Sequence, residues 1–172
     1  STLLRAVGLN AVLAQAGGPV AAAALRMPPV ELATSILVED SLAGGVSFFM
    51  AELLRIRGVV EAADRCRAEG RTLLYLLDEI LRGTNSTERQ VAVRRVLTHL
   101  LRGGALGAVS SHDLQLAEIP ELAAACRPVH FRESLHPGAE TSMTFDYKMR
   151  PGIATTTNAL ALMELVGLPR EA

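Results

Sequence analysis

Apolar residues fill positions 73 to 77 without a break, and two adjacent acids, Asp78 and Glu79, close the run. A continuous apolar run of strand length has no polar face to offer water. It fits a strand covered on both sides, as in a parallel sheet flanked by helices. Helical and strand-like patterns alternate along the rest of the chain, which predicts an α/β layer architecture. The acids raise a question of energy. Carboxylates at the edge of a core cost free energy unless something answers their charge. Either they are a solvated strand end, or they hold a metal ion and act on a water.

The 172 residues fit one domain and suffice to bury a sizeable core. Apolar residues make up 49% of the chain, which excludes disorder, yet no uninterrupted apolar run reaches the length of a membrane span. The opening "STLLRAVGLN" has no basic segment or cleavage site of a secretory leader. Cys66 and Cys126 form no CxxC and no metal spacing, so a reduced, cytoplasmic setting is expected. A net charge of −1 excludes a strong electrostatic grip on DNA by this stretch. Any nucleic acid would be held by another segment or another chain.

Helical spacing over residues 2–16 predicts a first helix, stopped at Gly17-Gly18. "ALRMPPVELATSILVED" holds short β-rich pieces broken by Pro28-Pro29. "SFFMAELLRIRGVVEAADRCRAEG" reads as a long amphipathic helix with Ser47 as N-cap and Gly70 near its end. After the "TLLYLL" strand, Thr87 and Gln90 make a capping-box pattern for a helix that Gly103-Gly104 closes. "ALGAVSS" is a second apolar run, ending before His112. Pro120 starts or kinks a short helix in "LQLAEIPELAAAC". "PVHFRESL" and "MTFDYKMRPG" are expected to pair as strands joined by "LHPGAET", and "TTTNALALMELVGLP" to form a last helix.

Four pieces carry candidate chemistry. In a nucleotide hydrolase, one carboxylate at a strand end serves the Mg²⁺ shell and another group orients the attacking water. Asp78 and Glu79 can divide those roles because successive side chains point different ways. His112 closes the next apolar run, and ligands of open α/β sheets gather beyond the carboxyl ends of the strands. Taken singly, the acids also read as a solvated strand end and His112 as a loop histidine. Ser1-Thr2 before a helix would aim free N–H groups at an anion, though a bare N-cap has the same appearance. A hydroxyl residue of this kind stands directly after the lysine in GxxxxGK[ST]. That glycine-rich segment is absent, and the chain's one lysine is Lys148. Gly44-Gly45 before Ser47 gives a second helix start suited to phosphate, or an ordinary glycine loop with a serine cap. Two such starts suit a nucleotide sandwiched between two copies of the chain.

Together these pieces resemble the ATPase domain, domain V, of the MutS family of mismatch-repair proteins over nearly all 172 residues. "STLLRAVGLNAVLAQAGGPVAA" resembles the segment after the phosphate-loop lysine, and "DSLAGGVSFFMAEL" the loop and helix that reach the partner subunit's ATP. "LLYLLDEILRGTNS" is similar to the Mg²⁺ and catalytic strand, and "GAVSSHDLQLAEI" to the histidine-bearing switch. "MTFDYKMRPGIATTTNALALMELVGLP" resembles the closing strand and helix. The resemblance implies a three-layer P-loop NTPase of ABC type, with a mixed, largely parallel central sheet flanked by helices. Its cofactors would be ATP and Mg²⁺. It implies one ATPase domain over residues 1–172, beginning just after the Walker A lysine. Ser1 would ligate Mg²⁺ with Thr2 beside it, and Asp78 would hold the Mg²⁺ shell through water. Glu79 would polarise the attacking water, and His112 would contact the γ-phosphate. Gly45 and Ser47 would touch the opposite subunit's nucleotide, with Asn85 and Ser86 at the seam of a homodimer. DNA would be bound by other domains of a longer protein, and a membrane anchor upstream stays open.

Departures from the family pattern accompany the match. "LRGTNSTERQ" comes after the acids where a "GRGTST" form is usual, and Ser111 stands where threonine is usual before the histidine. They imply a MutS-related side branch. Two other readings stay open, an ABC-type engine of another role and a non-catalytic dimerisation module of the same fold.

Overall fold

The structure is a computed structural model that describes residues 1–36, 48–81, 85–135 and 143–154. It divides into two compact units, residues 1–116 and 117–172.

In the first unit, helix α1 (Thr2–Gln15) leads to strand β1 (Val30–Ser35), then α2 (Phe48–Ala68), β2 (Thr72–Asp78), α3 (Ser86–Arg102) and β3 (Leu106–Ser110). The strands form a parallel sheet in the order β1-β2-β3. The apolar run is therefore the central strand. Leu73, Leu76 and Leu77 are at most 1% exposed, so both faces of β2 are covered as the unbroken pattern requires.

Different helices cover the two faces. Gly8 of α1 lies close enough to the sheet that a Cβ there would meet Leu76 and Leu32, which places α1 on their face. Glu31, the neighbour of Leu32, points the other way and pairs with Arg65 of α2 and, at 2.8 Å, with Arg71. Helix α2 thus covers the opposite face, and α3 packs beside it. This is an α/β unit with a parallel three-stranded sheet flanked by helices.

Gly107 fixes how β3 lies on β2. It sits in register with Tyr75, and a Cβ on it would strike both the Tyr75 ring and its carbonyl oxygen. A Gly107→Ala protein is expected to lose about 3 kcal/mol, because the obstacle is partly backbone and cannot swing aside. Thermal unfolding should fall by roughly 10 °C. An unchanged melting temperature would show that the sheet register is wrong.

Helix ends agree with the predicted glycine stops. Beyond α1, Gly17 takes φ 75° and the Gly18 N–H donates to Leu13 O at 2.8 Å. The start of α3 corrects the capping-box expectation. Its N-cap is Asn85, whose Oδ1 accepts the Glu88 N–H at 2.9 Å, so Thr87 already lies inside the helix. Asn85 wins because it is the extended residue, whereas Thr87 is held by the turn that Asn85 opens. Ser47 lies outside the described residues, as do Gly44 and Gly45. Cys66 and Cys126 are free thiols. No helix among the described residues is long and apolar enough to cross a membrane.

A 3₁₀ turn (Leu114–Glu118) precedes the second unit's helix α4 (Pro120–Ala125), which has its proline at the first turn. The expected strand pair is a hairpin interrupted in the middle. Strand β4 (Val129–His130) pairs antiparallel with β7 (Arg150–Pro151), and β5 (Glu133–Leu135) with β6 (Met143–Phe145). The interruption has a local cause. Asp146 grips Arg150 with both oxygens at 3.2 and 2.5 Å and accepts the Lys148 N–H at 2.9 Å, while Tyr147 takes φ 53°. The "DYKMR" stretch is thus a knot rather than a ladder. The connection over 136–142 and the expected last helix from Thr155 lie outside the described residues.

Arg150, with help from the Lys148 backbone, lowers the Asp146 carboxyl to about 2. A depressed carboxylate contributes stability that is present above its unfolded value and lost as pH falls through its folded one. That contribution should therefore persist down to about pH 4 and vanish towards pH 2. An NMR titration of Asp146 should give a midpoint near 2 that rises in an Arg150→Ala protein. A wild-type midpoint in the ordinary carboxylate range would break the proposed grip.

Candidate functional site

Parallel pairing brings the ends of β2 and β3 to one edge of the sheet, with Asp78 in register with Ser110. The Glu79 N–H continues the ladder by donating to Ser110 O at 3.2 Å. Past that bond the chain turns sharply, with Glu79 at φ 52° and Leu81 at φ 61°. The left-handed turn separates the two acids. Asp78 ends a regular strand, and Glu79 begins an exit from it.

Asp78 is nearly enclosed, with 6% of its side chain exposed. Its Oδ2 accepts the Ser1 hydroxyl at 2.5 Å and its Oδ1 accepts the Ser110 hydroxyl. Burial pushes the Asp78 carboxyl up, but the Ser1 and Ser110 hydroxyls, together with the Ser1 amino group 3.4 Å away, hold it below the usual carboxylate range. Asp78 is therefore an ionised carboxylate at neutral pH, flanked by hydroxyl oxygens.

Ser1 occupies the N-cap position of α1 without making the side-chain cap bond. Its hydroxyl goes to Asp78 instead. Thr2, the first residue of α1, comes next and is exposed. The start of this helix and the end of β2 are thereby joined across 77 residues of sequence.

Glu79 faces the next strand end. Its Oε1 lies 3.3 Å from Nε2 of His112, and the two differ sharply in exposure, 17% against 93%. An exposed imidazole against a mostly sheltered carboxylate can contact a ligand arriving from solvent while the carboxylate works behind it. The turn that carries His112 is held by polar bonds. Asp113 Oδ1 accepts the Gln115 N–H at 3.1 Å, and Ser111 Oγ accepts the Asp113 N–H at 3.0 Å. Gln90 of α3 donates its amide to Asp113 Oδ2 at 3.0 Å and to Gln115 Oε1 at 2.6 Å. Rather than completing the expected capping box, Gln90 ties α3 to the histidine turn. Glu79, Arg89, Gln90, Ser111 and His112 line a cleft of about 660 Å³, within the size range of small-molecule sites.

Of the residues expected from sequence, Ser1, Asp78, Glu79 and His112 gather at this edge, with Thr2 next to Ser1. Asn85 is engaged in capping α3, Ser86 begins that helix, and Gly45 and Ser47 are outside the described residues. Sequence reasoning misses Ser110. The only signal for it is its place at the end of "ALGAVSS", and its role needs the register with Asp78. Among the described residues no three His, Cys, Asp or Glu side chains group as a metal cluster. The donors beside Asp78 are hard oxygens, the chemistry Mg²⁺ accepts, and Mg²⁺ commonly takes only one or two carboxylates along with waters.

The fold and this edge define an α/β domain with a carboxylate-and-histidine rim beyond parallel strand ends. The chain belongs to the MutS domain V family, which matches residues 1–172. It is 34% identical to the DNA mismatch repair protein MutS of Thermus thermophilus over 99% of this chain and 20% of that protein. Against the DNA mismatch repair protein MutS of Natronomonas pharaonis the identity is 31%, over 98% of this chain and 19% of that protein. The DNA mismatch repair protein MutS 2 of Haloarcula marismortui is 31% identical over 98% of this chain and 17% of that protein. The chain thus spans about a fifth of the length of the curated relatives it matches.

Proposed function

We propose that residues 1–172 form one ATPase domain of a MutS-related DNA-repair protein, with the three-layer plan of a P-loop NTPase of ABC type. One observation carries this reading: Ser1, Asp78, Glu79 and His112, from distant parts of the sequence, meet at the carboxyl edge of a parallel sheet. Family membership supports it.

Ser1 and Asp78 would hold Mg²⁺, the serine by its hydroxyl and the carboxylate through water. Bound Mg²⁺ supplies charge neutralisation on the phosphates. Thr2 and the open N–H groups of α1's first turn receive phosphate oxygens. Glu79 orients the attacking water and takes its proton, because it is the sheltered carboxylate next to, rather than at, the metal position. His112 meets the terminal phosphate from the solvent side. Gly45 and Ser47 reach the nucleotide of a second copy in a homodimer, with Asn85 and Ser86 along the seam. ATP state then governs DNA-binding segments elsewhere in a longer, cytoplasmic protein.

The test is ATP turnover by the full-length protein. Hydrolysis should require Mg²⁺ and stop on chelation. A full-length protein with no turnover above background in saturating Mg-ATP would refute the reading and leave a dimerisation module of the same fold.

A further inference from the structure

Glu52 of α2 is the buried acid that the chemistry above does not use. It is 3% exposed, in a helix whose sequence pattern marks charged residues for the solvent side. Its Oε1 accepts the backbone N–H of Leu81, and its Oε2 is buried without a hydrogen-bond partner among the described residues. A buried carboxylate oxygen left unpaired costs stability, so tight packing alone gives no reason for an acid here.

The N–H it holds belongs to a strained stretch. Glu79 and Leu81 both sit in the left-handed region, and Ile80 and Leu81 are 5% and 1% exposed. Non-glycine residues in this region are strained and persist only where the surroundings hold them. Glu52 supplies a buried side-chain acceptor for the N–H at the far end of that turn, two residues after Glu79.

We propose that Glu52 is a positioning residue: by holding the Leu81 N–H it fixes the turn that aims Glu79 away from Asp78 and towards His112. The inference rests on the ATPase reading for its effect on rate, but not for its effect on the turn. It predicts that reach and acceptor character matter at position 52, and negative charge does not.

Three variants of the full-length protein separate these. Glu52→Gln keeps a carbonyl acceptor at the same reach. Glu52→Asp keeps the charge and draws it back by one methylene. Glu52→Leu removes the acceptor. Amide exchange at Leu81 should stay slow in the wild type and Glu52→Gln, and quicken about tenfold or more in the other two. The kcat for ATP should divide the same way, falling about tenfold or more in Glu52→Asp and Glu52→Leu while KM stays within about threefold. Should Glu52→Leu fail to fold, the Asp and Gln pair decides.

An unprotected Leu81 amide in the wild type would overturn the proposal. So would wild-type kcat in Glu52→Asp, or a Glu52→Gln protein as impaired as it. Lost protection with unchanged turnover removes Glu52's role and leaves the ATPase reading standing. Absent turnover in every protein sinks the ATPase reading, and the exchange rates still decide whether Glu52 holds the turn.

Discussion

A Glu79→Ala protein is expected to hydrolyse ATP at roughly one hundredth of the wild-type rate or less, the usual scale of a lost general base. Among the described residues at the rim, Glu79 is the sheltered acid beside His112. Its carboxylate is 17% exposed and stands 3.3 Å from the His112 imidazole, whereas Asp78 is occupied by two hydroxyls. Removing the Glu79 side chain leaves the groups proposed to bind metal and phosphate in place. The loss should therefore fall on kcat, with KM for Mg-ATP little changed. Alanine at a φ of 52° is no worse off than glutamate, since both carry a Cβ, so the fold should hold. Glu79→Gln keeps the shape and should be nearly as slow. Equal steady-state rates in wild type and Glu79→Ala would take hydrolysis away from this residue.

Asp78→Asn should be at least as damaging, by a different route. Asp78 is ionised because the hydroxyls of Ser1 and Ser110, with the Ser1 amino group, overcome the penalty of its burial. Asparagine keeps the outline but removes the charge. One of its two terminal atoms is a donor facing a hydroxyl that now donates, so one bond must reverse. Losing the charge that holds the Mg²⁺ shell costs several kcal/mol at the transition state, or roughly two to three decades in rate. The Mg²⁺ concentration giving half-maximal turnover should also rise, which Glu79→Ala should not do. A normal Mg²⁺ response in Asp78→Asn would contradict the assignment.

The sequence made the site's acids legible and hid their neighbours. The unbroken run 73–77 fits a doubly covered strand, and parallel connections put successive strand ends on one edge. Asp78, Glu79 and His112 can therefore be placed together from sequence. Ser110 cannot, because its bond to Asp78 depends on the register of β3 on β2, which apolar runs without alternation do not specify. Ser1 reads equally as an N-cap, and only the packing of α1 against the sheet turns its hydroxyl to Asp78. Glu52 is invisible for a similar reason. An acid within an amphipathic helix is normally solvated, and its burial depends on where the turn after β2 comes to lie. The interrupted hairpin of the second unit is half legible, since alternating β-formers predict strands but not the Asp146–Arg150 grip that breaks them.

The central claim places one Mg²⁺-nucleotide at this sheet edge. A crystal structure of the full-length protein with Mg²⁺ and a non-hydrolysable ATP analogue addresses it directly. The expected result is a metal about 2.0–2.1 Å from Ser1 Oγ and one water away from Asp78, with the terminal phosphate between Glu79 and His112. Nucleotide bound elsewhere, with the Asp78 and Glu79 carboxylates touching neither metal nor phosphate-bound water, would contradict it.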